Sequence, residues 1–262
     1  MLATRSADRR DKTNPVADLG REVNDFWFER PVQMAKIDGR VVTSLVVDPP
    51  NGRVPILPVV PNGPPPDPNR ADNPEDRNLG ERCLVHPAGP PMVGGSPVPA
   101  YLQIVQTPDY VMLYAEVANS ARIIPTRKRE HLPSDMRQWR GDSVGWWEGD
   151  TLVVESTNFK SGTNLRGFGV GPGMGVFTQP NFHLIERFSV AAPDTLLYEF
   201  TVTNPKFFAQ PWTARAPMAR SSDRMFETAC DEGSYGLEFI LRGARAEERE
   251  KENEKQFRSL LI

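Results

Sequence analysis

The segment from Trp139 to Phe159 constrains the fold of this chain more than any other. Two adjacent tryptophans precede the polar turn Glu148-Gly149-Asp150, and a β-branched run from Thr151 to Thr157 follows it. Aromatic and β-branched residues favour strands, and a glycine at the corner supplies the positive φ that a tight hairpin turn requires. The segment therefore predicts an antiparallel β-hairpin.

Comparable strand patterns recur between residues 101 and 230, separated by turns short enough to join antiparallel neighbours. In two of them, Phe182–Val190 and Thr195–Thr203, both faces mix apolar and polar side chains. A simple sandwich would separate core from solvent more cleanly, whereas mixed faces are typical of a barrel that encloses a pocket. We predict a mostly β fold, an antiparallel meander closing into a lipocalin-like β-barrel.

Proline content and charge divide the chain into three parts. We predict an N-terminal arm with a short helix over residues 1–40, a single β-barrel domain over 41–235 and a C-terminal α-helix over 236–262. Residues 49–99 of the domain form a proline-rich extended arm, because proline excludes helix and central strand. Interspersed aliphatic residues favour an arm that wraps over the domain surface. The glycine-rich segment 160–175 is interpreted as a mobile lid over a pocket, with a plain flexible loop as the alternative.

Charge and hydropathy exclude two classes of partner. The net charge is −3, and no basic stripe with interleaved aromatic residues occurs, so we predict no nucleic-acid partner. The apolar runs are too short for a membrane span. No apolar leader region is visible near the start, so we expect a cytoplasmic protein or an exported one whose leader was removed. The charged C-terminal helix and the apolar tail after it predict a homo-oligomer contact.

The two cysteines, Cys83 and Cys230, are too few for a disulfide scaffold. Two buried free thiols are the favoured interpretation, because free cysteine is commonly buried, and one bridge is the alternative for an exported protein. The three histidines show no metal-binding spacing, and the glycine run does not match a nucleotide-binding loop. We therefore predict neither a metal nor a cofactor. Asp142, Glu148 and Asp150 lack the spacing of a calcium loop and are interpreted as a solvated turn.

General acid–base chemistry is the enzymatic function that the residues favour. An imidazole transfers protons in either direction near pH 7, and a carboxylate held in an aromatic lumen has a raised pKa that suits an acid or a base. The predicted catalytic residues are His131 and His183 as acid or base, Glu116, Glu186 and Glu227 as orienting groups or proton acceptors, and Arg187 and Tyr114 as oxyanion stabilisers. The predicted substrate-binding residues are aromatic: Tyr101, Trp139, Trp146, Tyr198 and Trp212.

The resulting hypothesis is a cofactor-independent enzyme of the lyase, isomerase, cyclase or dehydratase type. Its substrate would be a small, largely apolar or aromatic molecule in the barrel lumen. The alternative is a non-catalytic, lipocalin-like binding protein for a small hydrophobic ligand, and a third hypothesis is an interaction module. In a purely structural interpretation, Glu186 and Glu227 pair with Arg187 and Arg224, and the aromatic residues fill the core.

Four segments carry motifs more specific than the strand pattern, at residues 43–53, 103–109, 141–154 and 226–235. The third reads GDSVGWWEGDTLVV and the fourth FETACDEGSY. Together they resemble an uncharacterised group of bacterial proteins, many of them exported, and the resemblance spans most of residues 40–245. The resemblance implies no activity. Similar proteins usually read Cys-His-Glu-Gly-Asn-Tyr in the fourth segment, where this chain has Asp231 and Ser234, so that histidine does not carry over.

Overall fold

The computed structural model describes residues 34–57, 71–77, 81–84, 91, 101–116, 120–127, 129–160, 163–165, 176–178, 181–222, 224–225 and 235–259. The predicted N-terminal helix, most of the predicted lid and Glu227 lie outside these residues. The described chain is mostly β, with antiparallel strand pairing and one C-terminal helix. This confirms the predicted fold class in its general form.

Two sheets make up the body of the fold. The larger sheet contains, in spatial order, β3 (Val46–Asp48), β13 (Trp212–Ala219), β12 (Thr195–Thr203), β11 (His183–Ala192), β8 (Thr151–Thr157) and β7 (Asp142–Glu148). The smaller sheet contains β4 (Leu102–Gln106), β5 (Tyr110–Ala115) and β6 (Ser120–Pro125). Two short ribbons pair β1 (Lys36–Ile37) with β2 (Arg40–Val41) and β9 (Thr163–Leu165) with β10 (Val176–Thr178).

The hairpin predicted from the tryptophan pair is confirmed. Strands β7 and β8 pair from Asp142 opposite Thr157 to Glu148 opposite Thr151. The glycine at the corner, Gly149, has a φ of +60°, as a tight turn between antiparallel strands requires. The same pairing places Trp146 and Trp147 at the exposed end of the hairpin, far along β7 from Asp142.

The inner faces of both sheets share one core. The smaller sheet contributes residues such as Leu113 and Ile124, and the larger sheet contributes both aliphatic and aromatic side chains. Phe200 and Trp212 meet edge to face with ring centroids 5.6 Å apart. Such pairs contribute about 0.5–1.5 kcal/mol beyond their area burial. The space between the sheets is therefore occupied by side chains at this level of the fold.

The described strands do not form a closed barrel. The β6–β7 approach is close, since a Cβ added at Gly145 of β7 would lie 2.9 Å from Ile124 Cγ2. No hydrogen-bonded ladder, however, joins β6 to β7 or β3 to β4 within the described ranges. Closure into a lipocalin-like barrel therefore stays a prediction.

Part of the proline-rich arm wraps over the core as predicted. The Leu57 amide donates to the Phe207 carbonyl at 2.9 Å, and the Ala209 amide donates to the Pro55 carbonyl at 2.9 Å. Val54 and Ile56 pack against the core cluster. Residues 58–70 of the arm lie outside the described residues.

The predicted C-terminal helix is present as α1 (Gly236–Ser259), and none of its described side chains is buried. Arg245 links it to the arm by donating to the carbonyls of Ala71 and Asp72 at 3.2 and 3.0 Å. No helix among the described residues has the length and apolar character to cross a membrane. The apolar tail after the helix lies outside the described residues.

The free-thiol interpretation is wrong for Cys83, which is disulfide-bonded. The other cysteine of the sequence is Cys230, which lies outside the described residues. Sequence reasoning favoured free thiols because buried cysteines are common, but the spacing of two distant cysteines carries no information on whether the fold brings them together.

Candidate functional site

Three titratable side chains lie on the outer face of the larger sheet, turned away from the shared core. They are Asp142 at the start of β7, Glu155 in β8 and His183 at the start of β11. Strand alternation puts them there, because their neighbours Ser156 and Leu184 point into the core and are fully buried. Antiparallel register brings all three to the same end of the sheet.

The segment that precedes β7 covers this end of the sheet and carries His131. Asn158, in a left-handed conformation with φ of 55°, holds the segment in place. Its side-chain amide donates to the carbonyls of Leu132 and Pro133 at 2.7 and 3.2 Å. The Gln138 amide donates to the Asn158 carbonyl at 2.9 Å. These bonds fix His131 above Glu155.

Asp142 orients the His131 ring. Its Oδ2 accepts from His131 Nδ1 at 2.9 Å and from the Leu132 amide at 3.0 Å, and its Oδ1 accepts from Arg129. Burial alone would raise the pKa of Asp142, but the hydrogen bonds from Leu132, His131 and Arg129 outweigh it and hold the pKa below its usual range. A carboxylate at Nδ1 selects the tautomer whose Nε2 is free to accept a proton.

Glu155 lies between the two histidines. Its Oε1 is 2.6 Å from His183 Nε2, and its Oε2 is 3.3 Å from His131 Nε2. Burial alone would raise the pKa of Glu155, but the hydrogen bond with His183 and the proximity of both imidazoles outweigh it and lower the pKa. The carboxylate is therefore ionised near neutral pH.

The four groups form a chain of alternating carboxylates and imidazoles, Asp142–His131–Glu155–His183. The contact between His131 Nε2 and Glu155 lacks hydrogen-bond geometry, and this nitrogen has no hydrogen-bond partner among the described residues. The side chains of His131 and Glu155 are 24% and 34% exposed, so solvent reaches part of each, although His131 Nε2 itself is buried. Such an arrangement can accept a proton at His131 and pass it to Glu155.

A cavity of about 730 Å³ adjoins this chain of groups and shares Asp142 with it. It lies between β6 and the segment that carries His131. Its described lining includes the predicted substrate-binding residue Trp139, the aliphatic residues Leu84, Ile123 and Leu132, and the cationic residues Arg122, Arg129, Arg140 and Lys160.

A second polar cluster occupies the inner face of the same strands. Arg122 of β6 and Glu186 of β11 form a bidentate ion pair with N–O distances of 3.0 and 2.6 Å. Arg122 Nη2 also donates to the hydroxyls of Ser143 and Ser156 at 3.2 Å, and the Tyr198 hydroxyl donates to Glu186 Oε1 at 2.7 Å. This cluster is buried in the core.

The structure thus separates the predicted catalytic residues. His131 and His183 come together, as an acid–base site requires, but Glu186 lies on the opposite face of the sheet. The alternative pairing of Glu186 with Arg187 is wrong, because successive residues of a strand point to opposite faces. Arg187 pairs instead with Glu148, with an N–O distance of 2.6 Å.

The remaining predicted residues are spread over the fold. Glu116 follows β5 and is buried, whereas Tyr114 lies on the face of β5 that points away from the core. Tyr101 lines a separate cavity, and Trp146 is exposed near the hairpin turn, where its Nε1 donates to Glu148. Tyr198 and Trp212 are fully buried in the aromatic core. Trp139 is the one of the five predicted aromatic residues that lines the cavity beside His131.

Sequence reasoning missed both carboxylates that contact His131. Asp142 was assigned to a solvated turn, yet it is 3% exposed and lies seven residues before the turn at Gly149. Glu155 stands between the buried residues Val154 and Ser156 of β8. The alternation of β8 therefore indicates that Glu155 points outward. No pattern in the sequence indicates its partner, because His131 lies in an irregular segment without periodicity.

No group of three or more His, Cys, Asp or Glu side chains in the described ranges is arranged to hold a metal ion. No protein-family profile, curated protein or solved structure matches this chain.

Proposed function

We propose that this protein is a cofactor-independent enzyme of the lyase or isomerase type, in which His131 transfers a proton to or from a small molecule. The observation that supports the proposal best is the chain Asp142–His131–Glu155–His183. It combines an imidazole oriented by a buried carboxylate with a second, solvent-accessible carboxylate opposite the other ring nitrogen. General acid–base catalysis uses such oriented imidazoles.

Each member of the chain has a distinct part in the proposal. Asp142 fixes the tautomer and orientation of His131, and it stabilises the imidazolium when Nε2 takes up a proton. Glu155 lies next to Nε2 and exchanges that proton, while His183 holds the Glu155 carboxylate in place at 2.6 Å. His131 and Glu155 therefore contact the reacting proton, and Asp142 and His183 are positioning residues.

The body of the substrate is proposed to lie in the cavity that borders Asp142. His131 and Glu155 are not in the described lining of this cavity, so the proposal requires the reacting atoms to extend past Asp142 to His131. Around the core cluster the space between the sheets is filled by aromatic and aliphatic side chains, whereas the cavity of about 730 Å³ falls within the size range of small-molecule sites. Trp139, Leu132 and Ile123 give it apolar wall for a largely apolar or aromatic molecule.

A deuterium-exchange screen tests the proposed activity. The protein is incubated in D₂O with a panel of small ketones, esters and unsaturated acids, and proton NMR records deuterium incorporation or elimination. For a substrate found in this way, His131→Gln is expected to lower the rate roughly 10²–10⁴-fold. His183→Gln is expected to have a smaller effect, because His183 acts through Glu155.

The matched control is Glu148→Gln, which removes an exposed carboxylate from the other end of the hairpin. It should leave the rate unchanged. Circular dichroism and thermal unfolding establish that each variant is folded. Equal turnover by the wild type and the double variant His131→Gln/His183→Gln would exclude these histidines from the reaction.

A second cavity favours the alternative, a binding protein for a small hydrophobic ligand. It measures about 990 Å³ and lies between β4 and the ends of β11, β12 and β13. Its described lining includes Tyr101, Leu102, Leu196 and Met218. Nile red fluorescence tests this function. Leu196→Lys should reduce the signal, while Val41→Lys, at a position 56% exposed and outside the described lining of both cavities, should not.

The disulfide at Cys83 supports the proposal that the protein works in an oxidising compartment. Structural disulfides persist in exported proteins and are rare in the reducing cytoplasm. Alkylation of the protein in intact cells, followed by mass spectrometry, tests this. A predominantly alkylated Cys83 would favour the cytoplasm.

Self-association through the C-terminal helix also stays a proposal. Phe239 and Phe257 of α1 are 62% and 66% exposed, and their spacing of eighteen residues is five helical turns, which puts both on one side of the helix. Light scattering of the wild type and of Phe239→Glu tests it. A monomeric wild type would exclude it.

A further inference from the structure

The smaller sheet ends in an open edge at β4. This strand pairs with β5 on one side, and no described strand pairs with it on the other. Its residues from Gln103 to Gln106 are all exposed, with Ile104 at 42% and Val105 at 37%. An edge strand presents a row of unpaired N–H and C=O groups, and such a row is a template for pairing with another chain.

The register with β5 shows which backbone groups of β4 face the open side. The Thr107 amide donates to the Tyr110 carbonyl at 2.8 Å, so this position is a hydrogen-bonded pair of the antiparallel ladder. Hydrogen-bonded and non-hydrogen-bonded pairs alternate along such a ladder, so Gln103 and Val105 direct their N–H and C=O groups toward β5. The residues that direct theirs outward are Leu102, Ile104 and Gln106. No backbone hydrogen bond joins these outward groups to another residue in the described part of the chain.

The other edges of the two sheets carry features that hinder pairing. β3 has three residues and ends at Asp48, next to Pro49. β6 ends at Pro125 and turns the charged Arg122 toward the core, and β7 lies against β6. Short strands, proline and inward-pointing charges are devices that keep sheet edges from pairing. β4 has no proline and no charge in its five residues, and its ladder with β5 has no bulge.

We infer that β4 is a docking edge for a second copy of this chain, and that the two β4 strands pair antiparallel about a two-fold axis at Ile104. Ile104 then lies opposite its own copy, and Leu102 lies opposite Gln106 of the second copy. These are the residues whose backbone groups point outward, so each pair exchanges two hydrogen bonds. The contact is isologous and joins the two smaller sheets into one. It requires neither the proton transfer proposed above nor self-association through α1.

The composition of β4 favours a second copy as the occupant. The occupant has to supply a neutral extended strand, and β4 is itself such a strand. Because β4 has no charge, two copies meet without the repulsion that like charges on facing strands cause. Ile104 lies on the core side of the sheet, since it pairs with the buried Leu113, and at the two-fold axis it contacts its own copy. Val105 on the outer side lies opposite Gln103 of the second copy, so both faces of the strand lose exposed apolar surface.

The size of the contact predicts a weak dimer. Specific, stable interfaces bury at least roughly 1,200 Å² in total, and a pair of five-residue strands buries less. We therefore expect a dissociation constant above about 1 μM. The dimer should accordingly be populated at high protein concentration and dissociate on dilution.

Amide hydrogen exchange, measured by NMR from about 10 μM to about 1 mM protein, tests the contact residue by residue. The amides of Ile104 and Gln106 should gain protection as the concentration rises, because the second copy accepts their hydrogen bonds. The amides of Gln103 and Val105 donate to β5 and are matched internal controls, so their protection should change far less. Sedimentation velocity over the same range should show a monomer passing into a dimer.

Variants assign the contact to β4. Val105→Lys should raise the dissociation constant at least about tenfold, because a charge on an edge strand opposes pairing. Ile123→Lys adds the same charge to the outer face of the same sheet, on β6, and should change the dissociation constant less than about twofold. Circular dichroism establishes that both variants are folded, and the exchange experiment on the wild type needs no variant.

Other results would overturn the contact. A wild type that stays monomeric at about 1 mM would exclude a second copy and leave the edge to a different protein. Outward amides that are fully protected at the lowest concentration would mean that another segment of the same chain covers the edge. A dimer that Phe239→Glu abolishes and Val105→Lys leaves unchanged would place the contact at α1.

Discussion

The inner and outer faces of strands β7, β8 and β11 carry two polar networks of opposite character. On the inner face, Glu186 is fully buried and bonds to Arg122 and Tyr198. On the outer face, Glu155 is about one-third exposed and lies between two histidines. The residues that β7, β8 and β11 contribute to the two networks alternate along the same strands, as Glu155 and Ser156 do in β8, so strand alternation puts them on opposite faces.

The difference concerns how far solvent reaches each network. Arg122 Nε and His131 Nε2 both lack a hydrogen-bond partner among the described residues, but the side chains of the outer network are partly exposed and those of Arg122 and Glu186 are buried. The inner cluster matches a charged donor with a charged acceptor, and burial prevents exchange with solvent. Burial alone would lower the pKa of Arg122, but the charge and hydrogen bonds of Glu186 outweigh it and raise the pKa. The outer chain Asp142–His131–Glu155–His183 leaves His131 Nε2 buried and without a hydrogen bond within the described residues, next to a Glu155 carboxylate that is about one-third exposed. We therefore assign a structural role to the inner cluster, and we propose the catalytic role for the outer network.

Breaking the buried ion pair should produce the largest change in stability. Arg122→Met or Glu186→Leu leaves one uncompensated charge in the core, and each should lower the free energy of unfolding by about 3–5 kcal/mol. The double variant Arg122→Met/Glu186→Leu should recover much of this loss because neither charge remains. Urea unfolding measures all three. Single losses below about 1 kcal/mol would contradict the structural role of the inner cluster.

The glycines that flank β7, Gly141 before it and Gly149 after it, test how tightly the outer chain is tied to the core. A Cβ at Gly141 would lie 2.6 Å from the Thr157 carbonyl oxygen and 2.7 Å from Phe159 Cζ, whereas a Cβ at Gly149 meets open space. Both have positive φ, which costs an L-residue about 1–2 kcal/mol. Gly141→Ala should add a steric cost of about 1–3 kcal/mol.

The matched control is therefore Gly149→Ala, which isolates the backbone cost. Thermal and urea unfolding of both variants give the difference between them. Equal destabilisation by the two substitutions would show that the start of β7 next to Asp142 is looser than the structure indicates.

Replacing Asp142 should give an intermediate, pH-dependent effect. Its pKa is lowered in the folded protein, so its contribution is present above the unfolded carboxyl pKa of about 4 and is lost as the pH falls through the folded-state value. Asp142→Asn should cost about 1–3 kcal/mol at pH 7. The wild type and the variant should converge in stability under strongly acidic conditions. A pH-independent difference would contradict the charged hydrogen bonds of Asp142.

Replacing Glu155 should have the smallest effect on stability. The carboxylate is about one-third exposed, and exposed ion pairs contribute only about 0.2–1 kcal/mol. Glu155→Gln should therefore cost less than about 1 kcal/mol in urea unfolding, with a smaller loss at high salt. A loss above about 2 kcal/mol would mean that the outer chain is structural, like the inner cluster.

Regular periodicity accounts for the parts of the fold that the sequence predicted. The β7–β8 hairpin, the pairing of β11 with β12 and the C-terminal helix all depend on local patterns of turn residues and alternation. The sequence also singled out His131 and His183, because only three histidines occur. It could not match Glu186 with Arg122, since these residues are 64 positions apart and belong to different sheets.

Mixed strand faces had two explanations, and the sequence favoured the wrong one for Glu186 and Tyr198. Polar residues on a core-facing side indicated a lumen, but here they satisfy one another through a buried ion pair and a tyrosine hydroxyl. A buried charge is tolerated when a partner from another strand neutralises it. Such a partner is visible only after the chain has folded.

The order of residues by itself determined that this chain forms antiparallel strands with tight turns and ends in a polar helix, because those features follow from local backbone preferences and side-chain periodicity. Only the tertiary structure decided that His131 meets Asp142 and Glu155, and that four cations surround one cavity. The physical reason is that charged groups interact through space, so distant segments become partners once packing has brought them within a few ångströms.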